Sequence, residues 1–152
     1  DNIVTLIIGD GELREQLEQL KKDLDLSSIY FLGNLPQETV AELYSIADLT
    51  VVPSRVEPFG LVALESLACG TPVIASKAGG LQDFINSEVG RFFPMNDYQE
   101  LADQIIDAIK NKEKGKKGEK ASDYALTNYS WNRVIDELLE VYNEIIEEGN
   151  NR

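Results

Sequence analysis

Glu57 and Glu65 are the pair of side chains whose type and spacing point most clearly to chemistry. The residues between them carry no charge, and Glu65 is the only charged residue between Glu57 and Lys77. Ionised carboxylates accept hydrogen bonds from vicinal hydroxyl groups, such as those of a ribose or a hexose. The eight-residue separation corresponds to about 12 Å of helix, roughly the distance from ribose to hexose in a nucleotide diphosphate sugar. The spacing therefore predicts that each carboxylate holds one sugar.

The residues between the two carboxylates suit a bound anion. Pro58 fits the first turn of a helix, where its missing N–H costs nothing. Phe59 to Leu61 would then offer free backbone N–H groups at the helix N-terminus, which is a common anion site. The helix is apolar nearly all round, which predicts that Glu65 is buried and hydrogen-bonded. A second interpretation stays open, in which Glu57 only favours the helix dipole and Glu65 caps a neighbouring loop.

Strands and helices alternate around this segment. Apolar runs that end at glycine or proline predict strands, and apolar residues spaced three and four apart predict helices. This alternation predicts an α/β fold, a Rossmann-like parallel sheet of about five strands with helices on both faces and a C-terminal helical tail. We predict a single domain over residues 1–152. The predicted strands span 3–8, 28–32, 49–52, 72–75 and 90–93, and the predicted helices span 12–26, from 36 onward, 59–68, 81–85, 98–111, 121–128 and 131–148.

Two segments carry more specific structural expectations. The run from Ile3 to Ile8 is apolar on both faces, which predicts a strand covered on both sides. Lys112 to Lys120 is predicted to be a charged, glycine-containing link between helices. Six of the nine lysines lie between Lys110 and Lys120. This cluster is either a basic docking patch or, as we favour, a solvated loop and helix surface.

Gly9-Asp10-Gly11 follows the first predicted strand and precedes a helix, as a phosphate-binding turn would. Ligands of doubly wound folds bind beyond the carboxyl ends of the strands, where this turn is expected. The third glycine of the dinucleotide-binding fingerprint is absent, because Arg14 occupies its position. A simple tight turn, with Asp10 near a helix N-terminus, explains the pattern equally well.

The composition excludes several classes of site. The 152 residues include 14 Lys+Arg, 27 Asp+Glu, no histidine and one cysteine, Cys69, for a net charge of −13. This piece therefore contains no histidine-based catalytic triad, imidazole metal site, internal disulfide or thiolate zinc site. Its acidity argues against nucleic-acid binding. We expect no bound metal, because histidine and a second cysteine are absent. We expect no membrane span, because no apolar run approaches about 20 residues. The first three residues lack the basic start of a signal peptide, so we expect a cytoplasmic location.

The segment from Glu57 to Glu65 resembles the signature of retaining GT-B glycosyltransferases. Its two glutamates, separated by the seven residues Pro-Phe-Gly-Leu-Val-Ala-Leu, are similar to the glutamate pair of the glycosyltransferase 4 group and of the glycogen and starch synthases. The resemblance extends over nearly the whole chain. Its further segments are Leu6 to Gly11, Phe31 to Gly33, Ala47 to Ser54, Gly70 to Ser76, Gly79-Gly80 and Tyr129-Ser130-Trp131.

This resemblance implies a nucleotide-diphosphate-sugar donor (UDP, ADP or GDP) and no cofactor or divalent metal. It implies that Glu57 contacts the donor sugar and stabilises positive charge at the anomeric carbon during front-face displacement, with retained configuration. Glu65 would hold the ribose hydroxyls. The remaining donor-binding residues implied are Phe59, Gly60 and Leu61 at the sugar, Leu61 and Val62 at the phosphates, Leu32, Gly33 and Leu35 at the base, and Gly9 and Gly11 beside the phosphate cleft.

The resemblance covers only the carboxy-terminal one of the two Rossmann-like domains in a GT-B enzyme. The first strand and helix of that domain, with an Arg and a Lys that neutralise the diphosphate, would lie before Asp1. Neither Arg55 nor Lys77 stands at a matching position. We therefore expect a fragment of a larger enzyme, inactive by itself, whose partner is the missing amino-terminal domain.

Two other functions remain open from the sequence. One is a non-catalytic Rossmann-like interaction module that binds a partner through the helical tail or the lysine-rich link. Neutralising Lys110 to Lys120 in a pull-down would distinguish it. The other is a nucleotide-sugar epimerase domain, and the absence of histidine speaks against it.

Overall fold

A computed structural model describes residues 3–150 of the chain, apart from the side chains of Glu148 and Asn150. The chain forms two compact units, one ending at Leu43 and one beginning at Tyr44. The single domain expected over 1–152 includes ends outside the described residues, and it stays a prediction. The elements are β1 (Thr5–Ile8), α1 (Arg14–Asp23), β2 (Ile29–Gly33), α2 (Gln37–Ile46), β3 (Thr50–Val52), α3 (Leu61–Ala68), β4 (Val73–Ser76), α4 (Leu81–Phe84), β5 (Gly90–Phe93), α5 (Tyr98–Lys110), α6 (Glu113–Tyr129) and α7 (Trp131–Asn150).

The first unit contains a two-stranded parallel sheet formed by β1 and β2. Thr5 pairs with Ile29, and the register shifts between Ile7 and Ile8. The prediction that this apolar run is covered on both sides is wrong for the described chain, because Val4 is 62% exposed and Leu6 41% exposed. A two-stranded sheet and one complete helix supply too few side chains to cover both faces. The apolar pattern therefore identified the strand but not its burial.

The second unit is built on a three-stranded parallel sheet in the order β3-β4-β5. All four residues of the central strand β4 are buried. Successive side chains of a strand point to opposite faces, and β4 follows this rule. Val73 packs in the same apolar cluster as Leu67 of α3, whereas Ile74 packs with Ala108 of α5. Helices therefore cover both faces of this sheet, as predicted. The five parallel strands within residues 3–150 are divided between two sheets.

The predicted link at Lys112 to Lys120 is wrong, because α6 begins at Glu113. Lysine and glutamate are good helix formers, and Gly118 has a packing role instead of interrupting the helix. A Cβ at Gly118 would lie 2.7 Å from the carbonyl oxygen of Gly70, so a larger residue would separate the end of α3 from α6. The close approach of two helices explains the glycine, which the sequence pattern alone had indicated as a breaker.

Three lysines of this segment make contacts within the chain. The Nζ of Lys114 donates to the carbonyl oxygens of Ser45 and Ala47, at the end of α2. Lys117 and Lys120 pair with Glu113 and Glu88, each with an N–O distance of 3.2 Å.

No helix within residues 3–150 is long and apolar enough to cross a membrane.

Arg91 and Glu113 form the centre of a charged network that ties β5 to α5 and α6. Arg91 donates from Nε to Oε1 of Glu113 at 3.0 Å and from Nη1 to Oδ2 of Asp107 at 2.7 Å. Glu113 is only 9% exposed. Burial alone would raise the pKa of Glu113, but hydrogen bonds from Arg91 and Lys117 hold this pKa below its usual value. The carboxylate therefore stays charged inside the fold.

Replacing Arg91 with methionine should lower the free energy of unfolding by about 3 kcal/mol, because a buried carboxylate loses its principal partner. Lys117 remains beside Glu113, so the loss should lie at the low end for a broken buried pair. Urea denaturation followed by circular dichroism measures the change. The matched control is Lys120→Met, which breaks a pair whose side chains are 65% and 67% exposed and should cost less than about 1 kcal/mol. Equal losses in the two variants would contradict this account.

Tyr44 and Tyr129 should ionise at higher pH than ordinary tyrosines. Burial is the main cause in both, and it raises the pKa of each phenol to about 12. The folded-state pKa lies above the unfolded value of about 10, so their contribution to stability is complete below pH ~10 and is lost as the pH rises towards ~12. Ultraviolet titration of tyrosinate should therefore show a late step for two of the six tyrosines, and Tyr44→Phe or Tyr129→Phe should each remove half of it. A single ionisation step for all six would contradict this expectation.

Candidate functional site

The loop that carries Glu57 ends at a glycine that no other residue could replace without strain. Gly60 has a φ of +102°, and a Cβ there would lie 2.7 Å from Cδ2 of Leu81. Helix α3 consequently begins at Leu61, two residues later than the predicted start at Phe59. Glu57 to Gly60 is not helical, so the estimate of 12 Å from an all-helical segment does not apply.

The N-terminus of α3 leaves backbone donors open. The N–H groups of Ala63 and Leu64 both donate to the carbonyl oxygen of Gly60, at 2.9 and 3.2 Å. The N–H groups of Leu61 and Val62 come earlier in the chain and have no acceptor inside the helix. No side chain caps α3, and its first turn contains no acidic residue. These two N–H groups are therefore suited to an anion. The sequence predicted the open donors at Phe59 to Leu61, and the later start of the helix leaves only Leu61 of these three inside α3.

Glu57 is held in place by hydrogen bonds to both its side chain and its backbone. Its half-buried carboxylate accepts a hydrogen bond from Oγ of Ser54, at 3.2 Å from Oε2. Its carbonyl oxygen accepts from the N–H of Gly80, at 3.0 Å. A Cβ at Gly79 would lie 2.1 Å from the same carbonyl oxygen. The loops after β3 and β4 are thus in direct backbone contact at Glu57.

Ser76, the last residue of β4, adds a second connection between these loops. Its Oγ donates to the carbonyl oxygen of Ser54. Ser76 is buried, so this bond is protected from water. The central strand therefore anchors the backbone of Ser54, whose hydroxyl donates to the Glu57 carboxylate. Sequence reasoning missed both serines, because serine after a strand is equally typical of an ordinary turn.

Glu65 is exposed, and the prediction that it is buried is wrong. The apolar composition of α3 had indicated burial on all sides, but only some of its faces meet the core. We call the uncovered side, Leu61, Val62 and Glu65, the open face of α3. Leu61 is 64% exposed and Val62 48% exposed. The buried residues of the helix are Ala63, Leu64, Ser66 and Leu67.

Tyr44 is a third residue that sequence reasoning missed. Its pKa is raised to about 12, first by burial and then by the nearby carboxylate of Glu65 and thiol of Cys69. A neutral phenol therefore lies close to the open face of α3 at physiological pH. The only sequence signal was a tyrosine at an apolar position of a helix, which usually indicates packing.

The first unit brings together its own set of predicted site residues. The N–H of Gly9 donates to the carbonyl oxygen of Gly33 at 2.8 Å, so the turn after β1 lies beside the loop after β2. Gly33 is buried and has a φ of +70°, whereas Leu32 is 37% exposed. Leu35 is half-buried, and a Cβ at Gly11 would meet open space.

Arg14 is the cation at this junction. Its Nη2 donates to the carbonyl oxygen of Phe31 at 3.3 Å, and its Nε donates to Glu18 at 2.9 Å. A Cβ at Gly33 would lie 3.1 Å from Nη1 of Arg14. The side chain that replaces the third glycine of the fingerprint therefore supports the Gly33 loop from within the first unit.

The predicted site residues consequently fall into two internally connected groups, one in each unit. No group of three or more Cys, Asp or Glu side chains within residues 3–150 is arranged to hold a metal ion. A cavity of about 800 Å³ in the second unit is lined by residues such as Gly70, Ala108 and Lys112 and by none of the predicted site residues.

Comparison with known proteins places this arrangement in a family. Residues 1–126 match the family described as "Glycosyl transferases group 1". An uncharacterised glycosyltransferase of Methanocaldococcus jannaschii is 36% identical over 147 residues, which cover 93% of this chain and 37% of that protein.

Solved structures share the fold. Sucrose-phosphate synthase from Thermosynechococcus elongatus superposes with a TM-score of 0.83 at 32% identity, over 94% of this chain and 38% of that one. HepE of Anabaena in complex with UDP-glucose gives 0.81 at 26% identity, over 93% and 41%. The chain spans about two-fifths of the length of these proteins. Its match to the family model and to these relatives shows that the chain belongs to the glycosyl transferases group 1 family, as a carboxy-terminal domain of the GT-B type.

Proposed function

We propose that the chain is the donor-binding domain of a retaining glycosyltransferase that moves a hexose from a nucleotide-diphosphate sugar to a saccharide or other hydroxyl acceptor. The observation that carries the proposal is the uncapped start of α3, with Glu57 locked before it and Glu65 exposed after it. A structural relative has been solved in complex with UDP-glucose, which favours UDP over ADP or GDP as the nucleotide.

The start of α3 is proposed to hold the diphosphate and the sugar. The N–H groups of Leu61 and Val62 would donate to the phosphates, where the helix dipole favours negative charge. The N–H groups of Phe59 to Leu61 would also reach the hexose. Gly60 has no side chain and therefore lets the ligand approach the backbone.

Glu65 and Glu57 are proposed to hold the two sugars. Exposed on the open face of α3, the carboxylate of Glu65 is free to accept hydrogen bonds from both ribose hydroxyls. Glu57 would accept hydrogen bonds from hexose hydroxyls and stabilise the positive charge that develops at the anomeric carbon. The Ser54 hydroxyl and the Gly79-Gly80 turn hold it in place, which reduces the cost of ordering it on binding.

Glu57 is not assigned as a general base. In front-face displacement, the departing phosphate removes the proton of the acceptor hydroxyl, and the new bond forms on the face that the nucleotide leaves. The configuration at the anomeric carbon is therefore retained. The nucleotide-diphosphate sugar is the substrate, and no separate cofactor or metal takes part in the proposed reaction.

The first unit is proposed to bind the base. Leu32, Gly33 and Leu35 would line it with apolar and backbone surface, and Gly9 and Gly11 would border the phosphates. The glycines suit this role because the backbone can approach a ligand closely where no side chain intervenes. Arg14 would hold the loops after β1 and β2 next to each other.

The charge of the chain limits what it can bind by itself. A net charge of −13 opposes a doubly negative ligand, and the resemblance places the neutralising Arg and Lys outside this sequence. We infer weak donor binding and no transfer activity without the rest of the enzyme, which would include an amino-terminal domain. A cytoplasmic location would keep the free thiol of Cys69 reduced.

Titration of the chain with UDP and with UDP-glucose, followed in amide NMR spectra, tests the donor site. Saturable shifts are expected at Glu57 to Val62 and at Glu65, with a dissociation constant in the millimolar range. Glu57→Gln should lower the affinity for UDP-glucose about tenfold and leave that for UDP unchanged, because Glu57 contacts only the hexose. Glu65→Gln should weaken both ligands alike.

Glu119→Gln is the matched control, since it removes one exposed negative charge elsewhere on the second unit. It should leave both affinities unchanged. Spectra that show no saturable shift in these segments, or equal effects of all three variants, would contradict the donor site.

Gly79→Ala tests whether the backbone contact at Glu57 positions the site. The new Cβ cannot remain 2.1 Å from the Glu57 carbonyl oxygen, so the loop must move. The free energy of unfolding should fall by about 1–3 kcal/mol, and the affinity for UDP-glucose should fall with it. Gly115→Ala meets open space in α6 and should stabilise the chain by up to about 1 kcal/mol with unchanged affinity. Unchanged UDP-glucose affinity in Gly79→Ala would show that this contact does not position Glu57.

A further inference from the structure

We propose that a cavity beside Glu57, lined by Arg55 and Asn96, binds an anionic oxygen group on the acceptor, either a phosphate or a carboxylate. This inference rests on the proposed function, because it identifies the chemical class of the acceptor for the same reaction. The cavity has a volume of about 370 Å³ and lies at the carboxyl ends of β3, β4 and β5. Its polar lining includes Ser54, Arg55, Ser76, Asn96 and Tyr98.

Within the described residues, Arg55 is a cation that forms no ion pair, although the chain is strongly acidic. Of the four arginines within residues 3–150, the other three each form an ion pair with a carboxylate. Arg55 is exposed, and its bond within that range is to a neutral amide. A guanidinium that no carboxylate of residues 3–150 neutralises is available to an anion from solution.

Asn96 orients this guanidinium. Nε of Arg55 donates to Oδ1 of Asn96 at 3.1 Å, which links the loop after β3 to the loop after β5. Asn96 has a φ of +63°, a conformation that asparagine tolerates better than most residues. Because Nε is used in this bond, the two terminal nitrogens of Arg55 remain for an oxyanion, which a guanidinium binds through two parallel hydrogen bonds.

The neighbouring polar groups are compatible with an anion. Asp97 also lines the cavity, but its Oδ1 accepts from the N–H of Glu100 and caps α5. Asn96 keeps its Nδ2 as a donor, and Tyr98 is 83% exposed. The lining therefore combines a free guanidinium with neutral donors, and its one carboxylate is engaged by a helix N-terminus.

The position of the cavity connects it with the acceptor. Ser54 lies in its wall and donates to the Glu57 carboxylate, so a group in the cavity would sit next to the proposed reaction centre. The donor phosphates are assigned to the N–H groups of Leu61 and Val62, which do not line the cavity. An anion held by Arg55 is therefore assigned to the acceptor.

The test is a titration of the chain with inorganic phosphate and, separately, with acetate, at constant ionic strength, followed in NMR spectra. Saturable shifts are expected at Nε of Arg55 and at the side-chain amide of Asn96. A response to phosphate alone assigns a phosphate-bearing acceptor, and a response to acetate alone assigns a carboxylate-bearing one. A response to neither overturns the proposal.

Arg55→Gln should lower the affinity for the responding anion about tenfold, and Arg55→Lys should weaken it less, because lysine keeps the charge and loses the paired donors. Lys77→Gln is the matched control. It removes an exposed cation from the loop after β4 that does not line the cavity, and it should change nothing. Equal losses in Arg55→Gln and Lys77→Gln would mean unspecific attraction and would overturn the proposal.

A repeat of the anion titration on the UDP-saturated chain separates this inference from the proposed function. Phosphate shifts at Arg55 that persist with UDP bound support an acceptor site. Loss of these shifts in the presence of UDP assigns Arg55 to the donor and overturns the inference, while the proposed function stands. Phosphate binding at Arg55 without any response to UDP would contradict the proposed function and leave the oxyanion site in place.

Discussion

The close contact between Glu57 and the Gly79-Gly80 turn is the constraint on which the candidate site depends. A Cβ at position 79 would lie 2.1 Å from the carbonyl oxygen of Glu57, so only glycine fits there. The loops after β3 and β4 can come this close only because residue 79 has no side chain. The contact needs the parallel register in which Val52 pairs with Ala75, because that register brings both strands to the same edge. The sheet thus determines the positions of the two loops. The loops in turn hold the Glu57 carboxylate in place before any ligand binds.

The positive groups of the second unit fall into two sets, those that make structural contacts and those that remain open to an anion. Arg91 ties β5 to α5 and α6, and Lys114 links α6 to the end of α2. Lys117 pairs with Glu113 within α6, and Lys120 pairs with Glu88 in the loop before β5. These cations therefore serve the structure of the unit. The start of α3 and Arg55 remain as positive regions without a carboxylate partner in the described residues. Both lie at or beside the carboxyl edge of the sheet. An acidic chain can therefore present a site for anions, because its structural ion pairs are placed elsewhere.

Local patterns predicted the elements well and the environments less well. Glycine and proline after apolar runs located all five strands, and β5 has the bounds that the sequence predicted, Gly90–Phe93. The errors at Glu65 and at Lys112 to Lys120 have a common origin. Apolar composition does not reveal which face of a helix is covered, and glycine in a charged segment does not reveal that Gly118 packs against Gly70. Both properties depend on neighbours distant in the chain.

The sequence by itself determined the order of strands and helices, the two glutamates and the glycine before α3, because turn chemistry, periodicity and spacing are local. It also carried the resemblance to the family to which the chain belongs. Only the tertiary structure decided that Glu65 is exposed, that Ser54 and the Gly79-Gly80 turn hold Glu57, and that Arg55 has an amide instead of a carboxylate as its partner. These features arise where loops from separate strands meet, and no local pattern records which side chains will face each other there.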